Sequence, residues 1–283
     1  MTVPATLMDG KALAAKIKER VRREVENMAR KPGLAMVLVG EDPAAQVYEA
    51  GKRRDCQQCG IYYDAFRLPE NTSQAELMDV IGILNGRAEI DGILLLLPLP
   101  RHLDGRAAVL AIRPDKDVDC VHPVNMGDLA LGMESFRPCT PAGVMRLLEE
   151  YRIDPAGKRC VVVGRSNIVG KPQAMLLLQK HGTVTICHTR TPDLEAECRR
   201  ADILVSAAGR PGLITGDMVK EGAVVIDVSI NRDAQGRLRG DVDYAAAAER
   251  AAYITPVPGG TGPVTRAVLM ENTLAAALRH GKG

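Results

Sequence analysis

The sequence predicts an α/β protein of two domains, each built on a mainly parallel sheet with covered faces. Three observations predict it. Short apolar runs such as Leu34–Val39, Ile93–Leu97, Cys160–Val163 and Ala223–Val228 have the length and composition of strands buried on both faces. They alternate with stretches whose apolar residues recur every three or four positions, and strands alternating with helices imply parallel pairing. A chain of 283 residues exceeds one typical domain, and Pro138-Cys139-Thr140-Pro141 breaks the pattern near the middle. The expected division is 1–140 plus 264–283 against 141–263.

The elements follow in order. Asp9-Gly10 caps a helix carrying Leu13, Ile17, Val21 and Val25. Leu34–Val39 is a strand closed by Gly40, and a helix follows over 44–58 with Tyr48 and Lys52 on one face. Ile61–Phe66 is a strand. Ser73–Leu84 is a helix opened by a capping box, Ser73 with Glu76. Ile93–Leu97 is a central strand stopped by Pro98-Leu99-Pro100. Arg113–Met126 is a loop dense in ionisable groups, and such loops are usually functional. Thr140 caps a helix to about Tyr151 that leads into the second domain. There, strands are expected at 160–163, 183–187, 203–205, 223–228 and 253–257. A turn-rich loop, Pro258–Pro263, precedes a last helix from Val264 that packs back across the first domain.

Composition narrows the function. A net charge of +2 and 3% aromatics without Trp argue against a nucleic-acid surface, and no apolar run is long enough to span a bilayer. Seven cysteines form no disulfide framework and suit a reducing, cytoplasmic setting. Cys56-Gln57-Gln58-Cys59 lacks a second ligand pair and reads as helix packing, so no metal is expected. Neither His122 nor His188 changes that.

The chemistry centres on Gly164-Arg165-Ser166-Asn167-Ile168-Val169-Gly170-Lys171-Pro172. A strand, a glycine-bounded turn and a helix N-terminus make an anion site, because free N–H groups and the helix dipole favour a phosphate. The next strand ends in His188-Thr189-Arg190, where an NAD site usually carries an acidic residue. With Arg165 also present, the charge favours a 2′-phosphate, hence NADP.

Together the motifs resemble the methylenetetrahydrofolate dehydrogenase/methenyltetrahydrofolate cyclohydrolase family. The pieces are Y-E-A-G-K (48–52), D-G-I-L-L-L-L-P-L-P (91–100), P-D-K-D-V-D (114–119), H-P-V-N (122–125), R-P-C-T-P-A-G (137–143), G-R-S-N-I-V-G-K-P (164–172), G-D-V-D (240–243) and T-P-V-P-G-G-T-G-P (255–263). They occur in family order over nearly the whole chain. The resemblance implies a folate-binding catalytic domain, a Rossmann-type NADP-binding domain, a cleft between them, and a homodimer formed through the cofactor domain. It implies hydride transfer from a tetrahydrofolate derivative to NADP, then hydrolysis to 10-formyltetrahydrofolate. Lys52 matches the catalytic lysine, and burial beside a cationic intermediate would favour its neutral form. Tyr48 matches the aromatic that stacks on substrate. Asp119 matches the carboxylate that receives the pterin, with Asp115 and Asp117 as adjacent competitors. Leu96, Pro258, Gly259 and Gly260 complete the implied folate contacts. The implied cofactor contacts are Gly164, Arg165, Ser166, Ile168, Gly170, Thr189, Arg190, Ala207, Ile230 and Thr261.

The sequence also departs from the resembling motifs. Leu96 stands where a glutamine usually bonds the lysine, and leucine can neither donate nor accept. Ala45, Cys120, Val121, Ser229, Thr261 and Val264 also differ, Cys120 and Ser229 standing in glycine places. The expectation is an NADP-dependent dehydrogenase whose cyclohydrolase step is weakened or lost. The alternatives are a fully bifunctional enzyme and a repurposed folate-binding protein without net oxidation.

Overall fold

The computed structural model describes residues 4–233 and 235–281, with the backbone alone at 43 and 44. The chain opens on β1 (Thr6–Leu7) and α1 (Gly10–Glu26). There follow β2 (Gly33–Val39), α2 (Pro43–Cys59), β3 (Tyr62–Leu68), α3 (Gln74–Gly86), β4 (Gly92–Leu95), α4 (Gly105–Ala111) and α5 (Pro123–Leu131). Next come α6 (Cys139–Glu150), β5 (Arg159–Val163), α7 (Gly170–Gln179), β6 (Thr183–Cys187), α8 (Leu194–Arg199), β7 (Ile203–Ser206) and β8 (Val224–Asp227). The chain closes with β9 (Asn231–Arg232), β10 (Leu238–Arg239), α9 (Tyr244–Ala248), β11 (Tyr253–Ile254) and α10 (Thr261–His280). Its contacts divide it into an N-terminal unit, 15–137 with 266–283, and a C-terminal unit, 1–14 with 138–265. No helix among the described residues is long and apolar enough to cross a membrane.

In the N-terminal unit β2 lies between β3 and β4, both pairings parallel. Gly92–Leu95 face Leu34–Val37; β4 is buried but stands at the edge of this three-stranded sheet and ends at Leu95, which corrects the expectation of a central strand running to Leu97. The expected capping box opens α3: the Ser73 hydroxyl accepts from the Glu76 N–H, and the Glu76 carboxylate accepts from the Ser73 N–H. The helix then presents Leu77, Ile81 and Leu84 to a cluster with Ala35, Val37 and Ile93. Each such buried side chain is worth ~1.5–3 kcal/mol. Asp91 introduces β4. It is fully buried and takes both guanidinium nitrogens of Arg30 (2.9 and 2.7 Å) and the Gly33 N–H (2.9 Å), with His280 Nδ1 at 3.0 Å. Burial alone would raise its carboxyl, but the bonds from Arg30 and His280 outweigh that and hold it below the ordinary range.

In the C-terminal unit one sheet runs β1-β11-β8-β7-β5-β6, every pairing parallel. The chain moves outward from β5 to β6 and returns to β7 on the other side of β5. That reversal opens the site expected of doubly wound sheets. Val161, Val163, Leu204, Val225 and Ile254 are in one buried cluster on this sheet.

Several boundaries differ from the sequence expectation. Residues 1–14 group with the C-terminal unit, because Thr6 and Leu7 pair with Tyr253 and Ile254. A two-residue strand has no periodicity to read. Thr140 lies inside α6 after an N-cap at Pro138, and its hydroxyl accepts from Thr265. Arg113–Met126 is partly helical: Pro114–Lys116 form a 3₁₀ turn, and Pro123 opens α5. The last helix begins at Thr261, not Val264, since Pro263 is tolerated in a first helical turn. Its residues from Arg266 onward belong to the N-terminal unit.

Asp91→Asn keeps the shape and removes the charge. We expect a loss of about 2–3 kcal/mol, read from the urea midpoint at neutral pH. The folded carboxyl titrates below its unfolded value, so its stabilisation is present at neutral pH and lost as pH falls through the folded value. The gap between wild type and variant therefore narrows in acid.

Candidate active site

The N-terminal unit places its candidates on α2 and on the segment leading to α5. One turn apart on α2, the Lys52 ammonium sits 4.0 Å from the centre of the Tyr48 ring. Lys52 is 4% exposed and Tyr48 43%, so the charge lies inside while part of the ring stays open. The same helix face buries two carboxylates, and neither stood out in the sequence. Glu49 accepts from the Tyr63 hydroxyl (3.0 Å) and Arg67 (2.8 Å). Burial alone would raise its carboxyl, but those two bonds hold it low. Asp55 takes Lys18 Nζ at 2.8 Å and pairs with Arg266 Nε at 3.3 Å. Three-residue spacing about Lys52 was the available signal, and it went unused. Leu96 directly follows β4, half-buried, its N–H bonded to the Val37 carbonyl at 2.9 Å.

The three aspartates of the 113–119 segment separate by their partners. Asp115 pairs with Arg113 and lies 3.3 Å from His280 Nε2. Asp117, 1% exposed, accepts from the N–H groups of Val121 (3.2 Å) and His122 (2.8 Å) and from the Asn125 amide (2.8 Å); burial pushes its carboxyl up. Asp119 is half-buried and hydrogen-bonds to no described residue. Beside it Cys120 adopts φ +57°, the left-handed region that favours glycine, and its thiol donates to the Phe136 carbonyl at 3.2 Å. His122 is the N-cap of α5, its Nδ1 accepting from the Val124 N–H at 3.1 Å.

The C-terminal unit holds the glycine turn. Gly164 has φ +129°, and a Cβ there would run into the Ala207 carbonyl; a Cβ on Gly170 would meet the Gly164 carbonyl. Both glycines are therefore demanded by backbone-to-backbone contact. The helix N–H groups are not free, which corrects the sequence expectation. The Ser166 hydroxyl accepts from the Val169 (3.2 Å) and Gly170 (3.3 Å) N–H groups, and its carbonyl takes the Lys171 N–H at 3.1 Å. The donors left without a partner among the described residues are the N–H groups of Arg165, Ser166, Asn167 and Ile168, all exposed. Arg165 and Arg190 are exposed and follow two paired strands, Val163 facing Cys187. Thr189 lies in a turn closed by His188, whose Nδ1 accepts the Arg190 N–H at 3.1 Å. Ile230 is exposed, whereas Thr261 is buried and its hydroxyl donates to the Asp227 carbonyl at 3.2 Å. The single hydroxyl proton of Thr261 is thus directed into the fold.

Pro258, Gly259 and Gly260 also belong to this unit; Gly259 has φ +112°, and the Gly260 carbonyl is where a Cβ on Gly10 would collide. A polar depression of about 490 Å³, lined by Arg152, Lys158, Asp202, Lys220 and Tyr253, opens at the N-terminal ends of β5, β7 and β8, away from the glycine turn. The C-x-x-C thiols are buried: Cys59 is pushed up to about 12 by burial, and Cys56 higher still. No group of three or more His, Cys, Asp or Glu among the described residues is placed to hold a metal.

Residues 8–119 match the family described as tetrahydrofolate dehydrogenase/cyclohydrolase, catalytic domain, and residues 138–281 match its NAD(P)-binding domain. The chain belongs to the tetrahydrofolate dehydrogenase/cyclohydrolase family. It is 57% identical over 280 residues to the bifunctional protein FolD of Moorella thermoacetica, covering 98% of this chain and 100% of that one. Against FolD of Anaeromyxobacter dehalogenans the figure is 56% over 277 residues, 96% and 98% of the two chains. Among solved structures, the bifunctional FolD of Campylobacter jejuni superposes with a TM-score of 0.95 at 46% identity, covering 97% and 99%. The Trypanosoma brucei dehydrogenase-cyclohydrolase, complexed with NADP cofactor and inhibitor, gives 0.95 at 40%, covering 99% and 100%. The family is thus one of enzymes, and the two matched domains correspond to the two kinds of α/β sheet described above.

Gly164→Ala tests the turn. It forces a side chain into a left-handed position and against a carbonyl, so we expect about 2–5 kcal/mol of destabilisation in a urea titration.

Proposed function

We propose that this chain oxidises 5,10-methylenetetrahydrofolate with NADP and carries out the following hydrolysis weakly or not at all. The observation that carries the reading is the pair on α2, a buried lysine ammonium against a partly open tyrosine ring. In the first step a hydride leaves the carbon bridging N5 and N10 and joins the nicotinamide, giving the methenyl cation and NADPH. In the second, water adds to that carbon and loses a proton, and the bond to N5 opens to leave the 10-formyl group. Tyr48 stacks on the pterin, and Lys52 acts at the bridging carbon. Asp119 receives the pterin N–H groups, and the other commitments of Asp115 and Asp117 support that choice. NADP is supported by the unbonded N–H groups of 165–168, by the two exposed arginines, and by the NADP complex of the Trypanosoma brucei relative. Its phosphates lie along Gly164–Gly170, its 2′-phosphate near Thr189 and Arg190, and its nicotinamide half toward Ala207, Ile230 and the Pro258–Gly260 loop.

The weakened second step rests on Leu96. Hydride transfer depends mostly on holding two rings in contact. Water attack needs an aimed proton acceptor, and an isobutyl group offers Lys52 nothing to bond. A homodimer and a cytosolic setting complete the reading. β6 is an edge strand with Thr183, Thr185 and Ile186 exposed, an edge a second copy can cover, and the seven free cysteines suit a reducing compartment.

With purified protein, NADP and methylenetetrahydrofolate, the methenyl absorbance is expected to rise and persist; prompt decay to the formyl product refutes the weakened step. Lys52→Met is expected to lower the dehydrogenase kcat by at least about 100-fold. Leu96→Gln is expected to raise the hydrolysis of added methenyltetrahydrofolate by about 10-fold or more, followed by the loss of the same absorbance.

A further inference from the structure

Past the C-terminal ends of β7 and β8 the Asp241 carboxylate is wholly buried and accepts six hydrogen bonds. The donors are the hydroxyls of Ser206 (2.9 Å) and Ser229 (2.7 Å), the Asn231 amide (3.1 Å), and the N–H groups of Ala208 (2.8 Å), Gly209 (3.2 Å) and Arg210 (2.7 Å). The Ser229 hydroxyl also accepts from the Gly209 N–H at 3.2 Å. Three segments distant in sequence, 206–210, 229–231 and the 240–242 turn, are tied to one group. Ser229 joins two of them directly. Its own N–H is held by Asp227 Oδ1 at 3.1 Å, while Asp227 Oδ2 holds the Val242 N–H at 2.8 Å. A glycine, which the resembling motif has at this place, could make neither hydroxyl bond.

The loop after β7 begins at Ala207, the residue whose carbonyl Gly164 must clear. With the 2′-phosphate on the β6 side of the reversal point, the other half of a dinucleotide runs toward the loops after β7 and β8. We propose that Ser229 is a positioning residue for the dinucleotide: through Asp241 and Gly209 it holds the loops after β7 and β8 in the geometry that meets the nicotinamide half of NADP. The inference rests on the reading of this unit as the NADP site. A loop held before binding costs less to order on binding, so the effect falls on affinity.

The test is Ser229→Ala in the full chain, with NADP as the probe in a calorimetric titration and in steady-state assays with methylenetetrahydrofolate. The dissociation constant and KM for NADP should rise about 10-fold, the lower end of the factor expected for one hydrogen bond to a charged acceptor. The kcat at saturating NADP and the KM for folate should change less than about 2-fold. Ser229→Gly removes the same hydroxyl bonds and should give the same split. Unchanged NADP affinity in both variants, or a fall in kcat as large as the rise in KM, overturns the inference. If the intact protein does not bind NADP, the proposed function fails and takes this inference with it; if the intact protein binds and both variants bind equally well, this inference alone fails.

Discussion

Two adjacent buried carboxylates, Asp227 and Asp241, set the terms for the C-terminal unit. An uncompensated buried carboxylate costs several kcal/mol, and each hydrogen bond to a charged acceptor returns about 1.5–3 kcal/mol. Asp241 resolves this by drawing in donors from three segments, so the loops after β7 and β8 are shaped by the need to satisfy one group. Asp227 has fewer donors, and burial beside Asp241 pushes its carboxyl up to about 6. A Cβ on Gly240 would run into the Asp227 carboxylate, so the turn carrying Asp241 must pass close by. Loop geometry at the dinucleotide end of the sheet is thus a consequence of electrostatics more than of local turn preference.

The N-terminal unit uses the same economy of donors differently. Lys116 is buried and donates to the Leu84 and Arg87 carbonyls at the C-terminal end of α3, which also accept the Arg87 and Ile90 N–H groups. Burial lowers its ammonium. With Lys116 fixed there and Asp117 closing the turn into α5, the segment between them and Cys120 has little freedom. Asp119, within that segment, stays half-buried. On α2 the polar groups Glu49, Lys52 and Asp55 share one buried face, and each carboxylate has cationic partners from elsewhere in the unit.

Much of the fold was legible, because the signals were local. The capping box at Ser73, the Asp9 cap on α1, the buried strands, and the strand–glycine–helix corner at Gly164 each need only a few neighbouring residues. What escaped was non-local. Residues 4–14 read as part of the first domain because nothing within them announces a partner at Tyr253. Ser166 looked like a ligand-facing residue, yet its hydroxyl turns inward to the N–H groups of Val169 and Gly170. Spacing alone could not separate the three aspartates of the 113–119 segment, since the partners that distinguish Asp115 and Asp117, His280 and Asn125, lie outside it. Asp241 was visible only as part of a G-D-V-D string, since its donors lie 10 to 35 positions away. Cys120 and Ser229 were legible as departures from the resembling motifs, but the left-handed backbone of the one and the hydroxyl bonds of the other were not.

All seven cysteines are free and buried, three in the N-terminal unit and four in the C-terminal unit. Thiolate is the reactive form, and burial disfavours it. An alkylating reagent added to the native protein therefore finds no target until the chain opens. The sulfur atoms make a ready set of internal clocks: the order in which Cys56, Cys59 and Cys120 are modified relative to Cys160, Cys187 and Cys198 reports which half of the molecule breathes first.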